Sequence, residues 1–164
     1  MGDYFEDTLR LYLRAGDEFR YIWVYIREEW IIVDEGQVGE MRDHQLFPIE
    51  SQTEIDGLIR KRRSAGYTEI SESQMTYHDI IFEISGSLAD EEELDHRNLI
   101  WDELDAFLAV TGQGWTDGAS SGLGTMEIGV VVVDADVMKA SVANWITGKG
   151  LGEIRGIIDY GSHE

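Results

Sequence analysis

Tyr21-Ile22-Trp23-Val24-Tyr25-Ile26 and Trp30-Ile31-Ile32-Val33 are two β-branched and aromatic runs split by the charged Arg27-Glu28-Glu29, a pattern that predicts a β-hairpin. Glu35-Gly36-Gln37-Val38-Gly39 then breaks the strand pattern with two glycines three apart. Downstream, Ser51-Gln52-Thr53-Glu54 has the form of a capping box, with Ser51 accepting from the Glu54 backbone N–H and Glu54 reaching back to Ser51. A helix is therefore expected to start here. Ile55, Leu58 and Ile59 give it an apolar face, Arg60-Lys61-Arg62-Arg63 place positive charge at its negative end, and Gly66 is suited to the left-handed conformation that ends it. Tyr67-Thr68-Glu69-Ile70 reads as a returning strand. Upstream, Leu9, Leu11 and Leu13 alternate with polar neighbours as in a half-buried strand over Thr8–Arg14, turned by Ala15-Gly16-Asp17-Glu18. Gln45–Ile49 fits an edge strand, because Pro48 has no N–H for a central ladder.

This order of strands, Gly-x-x-Gly turn, single helix and Gly-Tyr strand resembles the WGR domain, a small sheet-plus-helix module of poly(ADP-ribose) polymerases and many bacterial proteins. The matching positions are Tyr21–Ile26, Trp30–Asp34, Gly36-Gln37-Val38-Gly39 and Ala65-Gly66-Tyr67. The family's Trp-Gly-Arg triplet is here Glu35-Gly36-Gln37, so the aromatic and basic groups that members bring to nucleic acid are missing. The resemblance covers about a third of the chain and implies a fold more than a site.

Ser71-Glu72-Ser73-Gln74 is the most linker-like segment and divides a WGR-like domain, residues 1–74, from a second domain, residues 75–164. The linker is short enough that the two are expected to pack together. From Tyr77 the pattern becomes β-α-β-β-α-β: a strand over Asp79–Ile84, a helix over Asp90–Val110, a short strand over Trp115–Ala119, a flexible turn over Ser120–Gly124, a strand over Met126–Val133, a helix capped by Asp134 or Asp136, and a last strand over Glu153–Tyr160. The first helix carries Asp90, Glu91, Glu92 and Glu93 at its positive end and buries Leu94, Ile100, Trp101, Leu104, Phe107 and Leu108; the second buries Met138, Val142, Trp145 and Ile146. Val130-Val131-Val132-Val133 suits burial on both faces of a sheet. The expected class is α+β, an antiparallel sheet with one helix packed with a ferredoxin-like βαββαβ sandwich. Gly118–Val133 is similar to the Gly-rich turn and acidic Met-Glu-Ile-like strand of bacterial immunity-type proteins.

Charge bounds the partners. The chain of 164 residues carries 33 acids against 13 bases, a formal net charge of −20, and residues 76–164 hold 17 of those acids with only four bases. Such a chain repels phosphate backbones and anionic membranes, and its long-range partner is a basic surface unless the charge serves solubility alone. An apolar share of 43% marks a folded protein and not an acidic disordered tail. Without cysteine there are no disulfides, thiol nucleophiles or thiolate metal sites. Met1–Asp7 lacks the features of a signal peptide, Glu6 stands where a myristoylation motif needs Ser or Thr, and no apolar run spans a bilayer, so a cytoplasmic location is the default.

Chemical motifs fare poorly. Gly118-Ala119-Ser120-Ser121-Gly122-Leu123-Gly124-Thr125 has the glycines of a phosphate loop but no lysine, and a strand follows it where a helix N-terminus is needed. Neither Asp134-Ala135-Asp136 nor Asp90–Glu93 has EF-hand spacing. His44, His78, His96 and His163 show no zinc-binding spacing and are expected at surface or edge positions. No nucleophile elbow precedes a helix. The basic run Arg60–Arg63 is explained by the helix dipole.

The expectation is therefore a non-enzymatic binding protein with no cofactor and no metal, an immunity protein that occludes a basic toxin such as a nuclease. Its acidic contacts are expected at Glu91, Glu92, Glu93, Asp95, Asp102 and Asp105, with Trp115 and Asp117 near the Gly-rich loop. A WGR-type nucleic-acid or DNA-damage module is the alternative, and a hydrolase with an unrecognised site the third.

Overall fold

The computed structural model describes residues 8–162. The chain is α+β, with two antiparallel sheets and three helices among the described residues. It divides into two compact units, one running through Ser71 and taking in Val110–Gly112, the other made of Glu72–Ala109 and the residues from Gln113 onward.

In the first unit, β1 (Leu9–Ala15), β2 (Glu18–Arg27), β3 (Trp30–Gln37) and β4 (Asp43–Pro48) form successive hairpins, and β5 (Thr68–Glu69) returns beside β1 to give the order β4-β3-β2-β1-β5. The β2–β3 connection is only Glu28-Glu29, with Glu28 at φ 55°, a left-handed position that costs a non-glycine residue about 1 kcal/mol. Register then sorts the side chains. Leu11, Ile22, Val24, Ile31 and Val33 share the face covered by α1 (Gln52–Ser64), where Ile55 and Tyr67 complete the core. Tyr12, Tyr21, Trp23 and Asp34 occupy the opposite face and are also buried.

Helix α1 begins where the sequence places it, but the capping box does not form. Ser51 is the last residue of a 3-10 turn, Ile49–Ser51, and its ψ of 8° is far from the extended value that would bring its hydroxyl over the first free N–H groups. At the other end the backbone closes as a Schellman motif: Tyr67 N–H donates to Arg62 O at 3.1 Å and Gly66 N–H to Arg63 O at 3.0 Å, with Gly66 at φ 98°.

Val110–Gly112, remote in sequence, complete the first unit. Gly39 N–H donates to Thr111 O at 2.9 Å, Arg42 N–H to Val110 O at 3.0 Å, and the Tyr21 and Tyr12 hydroxyls reach Val110 O and Gly112 O. A Cβ at residue 112 would run into the Tyr21 ring.

The second unit has β6 (Thr76–Glu83), α2 (Glu91–Val110), β7 (Gly114–Gly122), β8 (Thr125–Val132), α3 (Ala135–Lys149) and β9 (Gly156–Ser162), with sheet order β7-β8-β6-β9. Ile100, Leu104 and Leu108 of α2 and Met138, Val142 and Ile146 of α3, each series spaced by four, pack on Ile80, Phe82, Met126, Ile128, Val130 and Val132 of one sheet face. Phe107 and the partly buried Trp145 stack with centroids 4.8 Å apart. Val131 is buried on the other face, as the four-valine run suggests. Asp134 is the cap of α3, its Oδ1 accepting from Val137 N–H at 2.9 Å.

Two expectations are corrected here. Ser120–Gly124 is not a flexible turn: β7 continues to Gly122, Ser120 pairs with Glu127, and the connection shrinks to Leu123-Gly124. Glycine and serine have low strand propensity, and the ladder to β8 overrides it. The last strand starts at Gly156, three residues later than expected, and runs on through Ser162.

Candidate functional site

The eight residues expected to meet a partner fall into two groups. Glu91, Glu92, Asp95 and Asp102 are exposed on α2, on the side away from Ile100, Leu104 and Leu108. Asp117 is also exposed, in the β-bulge between Thr116 and Ala119. The other three are tied into the unit. Glu93 forms a reciprocal capping box with Asp90: Glu93 N–H donates to Asp90 Oδ1 at 2.9 Å, and Glu93 Oε2 accepts from Asp90 N–H at 3.1 Å. Its other oxygen accepts from Ser85 N–H at 2.6 Å, and these backbone donors, Ser85 first, hold its carboxyl below the usual carboxylate range. Asp105 Oδ1 accepts from both the N–H and the hydroxyl of Thr116, which fastens α2 to β7. Trp115 is 5% exposed and offers a partner almost no surface.

A shallow cleft of about 350 Å³ lies at the start of α2, lined by Glu83, Asp90, Glu92, Glu93 and His96 with Ile84 and Met126. His96 Nε2 sits 2.9 Å from Leu151 O. His44 and His96 are exposed. His78 is the exception to the expected surface placement. It is fully buried, because it lies in phase with Ile80 and Phe82 on the helix-covered face of β6. Its Nε2 lies 2.9 Å from the Thr76 hydroxyl and its Nδ1 3.8 Å from Asp159, and burial pushes its pKa down. His163 lies outside the described residues, as do the signal-peptide and lipidation readings of residues 1–7.

Two constellations escaped the sequence reading. On β3, Asp34 is 1% exposed and accepts from Arg42 Nη1 at 2.5 Å and the Tyr25 hydroxyl at 3.1 Å, while its other oxygen meets His44 Nδ1 at 2.5 Å. Burial and the Asp34 charge raise the Tyr25 hydroxyl to about 12. The Asp34 carboxylate thus holds one imidazole nitrogen together with a guanidinium and a phenol. Its evident work is to tie β2, β3 and β4 together.

The second constellation is on the sheet face of the second unit opposite α2 and α3. Tyr77 donates to the Asp117 carbonyl at 2.9 Å, and its hydroxyl lies against Gly129, where any Cβ would collide with it. Tyr160 donates to Asp79 Oδ2 at 2.9 Å, and the two tyrosine rings lie 5.7 Å apart. Burial first, then Asp79 and Asp117, push the Tyr77 hydroxyl up to about 12. Only the alternation of Tyr77, Asp79 and Ile81 hinted at this face in the sequence.

Among the described residues, no three His, Asp or Glu side chains are grouped to hold a metal ion, and no helix is long and apolar enough to cross a membrane. The class that fold and surface define is an α+β chain with acid exposed on one helix and an acidic, tyrosine-bearing sheet face. No family model matches the chain, and no curated protein or solved structure matches it.

Proposed function

We propose that this chain is a non-enzymatic binder of a basic protein, acting as a bacterial immunity protein that occludes a basic toxin such as a nuclease. The observation that carries this reading is the exposure of Glu91, Glu92, Asp95 and Asp102 on one helix of a chain with net charge −20. Like charges so concentrated raise the encounter rate with a basic surface and reject acidic ones. The order β7-β8-β6-β9 with both helices packed on one face supports a ferredoxin-like second unit. In the first unit, the helix α1 and the Gly66-Tyr67 return to β5 support a WGR-like arrangement. Nucleic acid fits less well: Arg62 is paired with Glu35 at 2.6 Å and Arg63 with Glu69, so part of the basic run is already neutralised.

The test replaces Glu92, Asp95 and Asp102 with lysine and measures association with a basic toxin encoded beside this gene, at low and moderate salt. The expected result is slower association by about tenfold or more at low salt, weaker protection of cells, and little change in thermal stability. Glu92 is the least clean of the three, because it also sits in the first turn of α2 and favours the dipole there. An unchanged association rate with full protection removes α2 from the interface, and the lack of any basic partner removes the reading.

A further inference from the structure

We infer that His78 and Asp159 form a proton-operated latch across β6 and β9, which stands open while the imidazole is neutral and closes as an ion pair at the β-bulge when His78 Nδ1 takes up a proton. The latch goes beyond the reading of the chain as a binder of a basic protein and does not depend on it.

One hydroxyl sets the tautomer. Thr76 Oγ1 lies 3.4 Å from Val132 O, a carbonyl that can only accept, so the hydroxyl proton points there and Oγ1 is left to accept from His78 Nε2, 2.9 Å away. The neutral ring therefore carries its proton on Nε2. Nδ1 is then a bare lone pair, buried and without a hydrogen-bond partner among the described residues. The oxygen that faces it is Asp159 Oδ1 at 3.8 Å, about 1 Å beyond hydrogen-bond distance. Two acceptors cannot bond to each other, which keeps this gap open. A proton on Nδ1 turns the same pair into a charge-assisted donor and acceptor.

The bulge brings the carboxylate to this position. Tyr77 pairs with Gly161 and His78 with Asp159, so Tyr160 is the extra residue between them. Asp159 Oδ1 accepts from Gly161 N–H at 2.8 Å, Oδ2 lies 3.9 Å from Lys139 Nζ, and the side chain is 51% exposed, so it has room to close on the ring. The other elements around His78 bring no second acid into ion-pair distance of it among the described residues. β8 sets Val130 opposite it, β7 sets Thr116 next in the row with Asp105 of α2 bound to it, and α3 contributes Lys139. Burial holds the His78 pKa below its ordinary 6.5, with Asp159 pulling it up and Lys139 pushing it down. The latch is therefore open at pH 7.5 and closes only as pH falls below about 6.5 toward the folded value.

The experiment is a pH titration of the full chain from 7.5 to 5, following the His78 ring nitrogens and the Gly161 amide by NMR. The expected result is an Nε2-protonated ring at pH 7.5 and a Gly161 amide that shifts with the midpoint of the ring. Asp159→Asn should lower that midpoint by about half a unit or more, and Lys139→Gln should raise it by a few tenths. In His78→Gln the Gly161 shift should vanish; the titration of the unaltered protein and of Asp159→Asn keeps the test valid should that variant fail to fold. A ring protonated on Nδ1 at pH 7.5 overturns the latch, as does a His78 midpoint unmoved by Asp159→Asn. A Gly161 amide that ignores the ring, or that shifts as before in His78→Gln, overturns it equally.

Discussion

At the scale of single residues, the buried polar groups decide the stability of each unit. Asp34 is a buried carboxylate with three partners, and replacing it with asparagine leaves Arg42 without its counter-charge. Removing one member of a buried pair costs roughly 3–5 kcal/mol; because Arg42 and His44 keep 25% and 37% of their side chains in solvent, about 2–3 kcal/mol is expected for Asp34→Asn, read from the urea midpoint. His78 gives a pH signature. Its folded pKa lies below its ordinary 6.5, with burial as the main cause, Lys139 adding to the shift and Asp159 opposing it. The unfolded chain therefore takes up the proton first, so this group favours the native state fully above about pH 6.5 and loses that contribution as pH falls toward the folded pKa. Denaturation midpoints at pH 7.5 and 5 should differ less in His78→Gln than in the unaltered protein; equal differences would remove His78 as the cause. Neither group was legible in sequence. Asp34 ends an Ile-Ile-Val run, and nothing local announces that Arg42 and His44, eight and ten residues on, return across a hairpin to meet it.

At the scale of elements, helix termini show where sequence chemistry succeeds and where geometry overrules it. Ser51 and Asp134 both have the composition of an N-cap, yet only Asp134 has an extended backbone, φ −152° and ψ 112°, and accepts a hydrogen bond from the helix. Asp134→Ala should therefore cost about 1 kcal/mol and Ser51→Ala less than about 0.5 kcal/mol, a contrast measurable by thermal denaturation. Similar losses in both would mean that Ser51 caps α1 in solution. The strands of the first sheet, the stripes of α2 and α3, the Gly66 terminus and the four-valine strand were legible because each rests on period or on a single backbone requirement. The length of β7 was not, since serine and glycine acquire their strand state from β8. Three of the expected contact residues, Glu93, Asp105 and Trp115, share the composition of surface anchors, and only the fold reveals that a cap, a hydrogen-bonded Thr116 and burial already occupy them.

At the scale of the whole molecule, the first unit is not encoded by the first half of the chain alone. Without Val110–Gly112, the Gly39 and Arg42 amides and the hydroxyls of Tyr12 and Tyr21 lose acceptors, and the Tyr21 ring loses the glycine it lies against. Residues 1–74 expressed separately should accordingly be less stable than the same unit in the full chain by about 2 kcal/mol or more, given roughly 1 kcal/mol for each hydrogen bond lost, and hydrogen exchange at Gly39 and Arg42 should be fast in the fragment. Equal protection in fragment and full chain would make the segment dispensable. The same three residues set a schedule for biosynthesis. A ribosome that has released Ser71 must still add about forty residues before Gly112 exists, a wait of roughly two to eight seconds at 5–20 residues per second. Throughout that interval the nascent sheet lacks the carbonyls that its Tyr12 and Tyr21 hydroxyls reach in the finished protein.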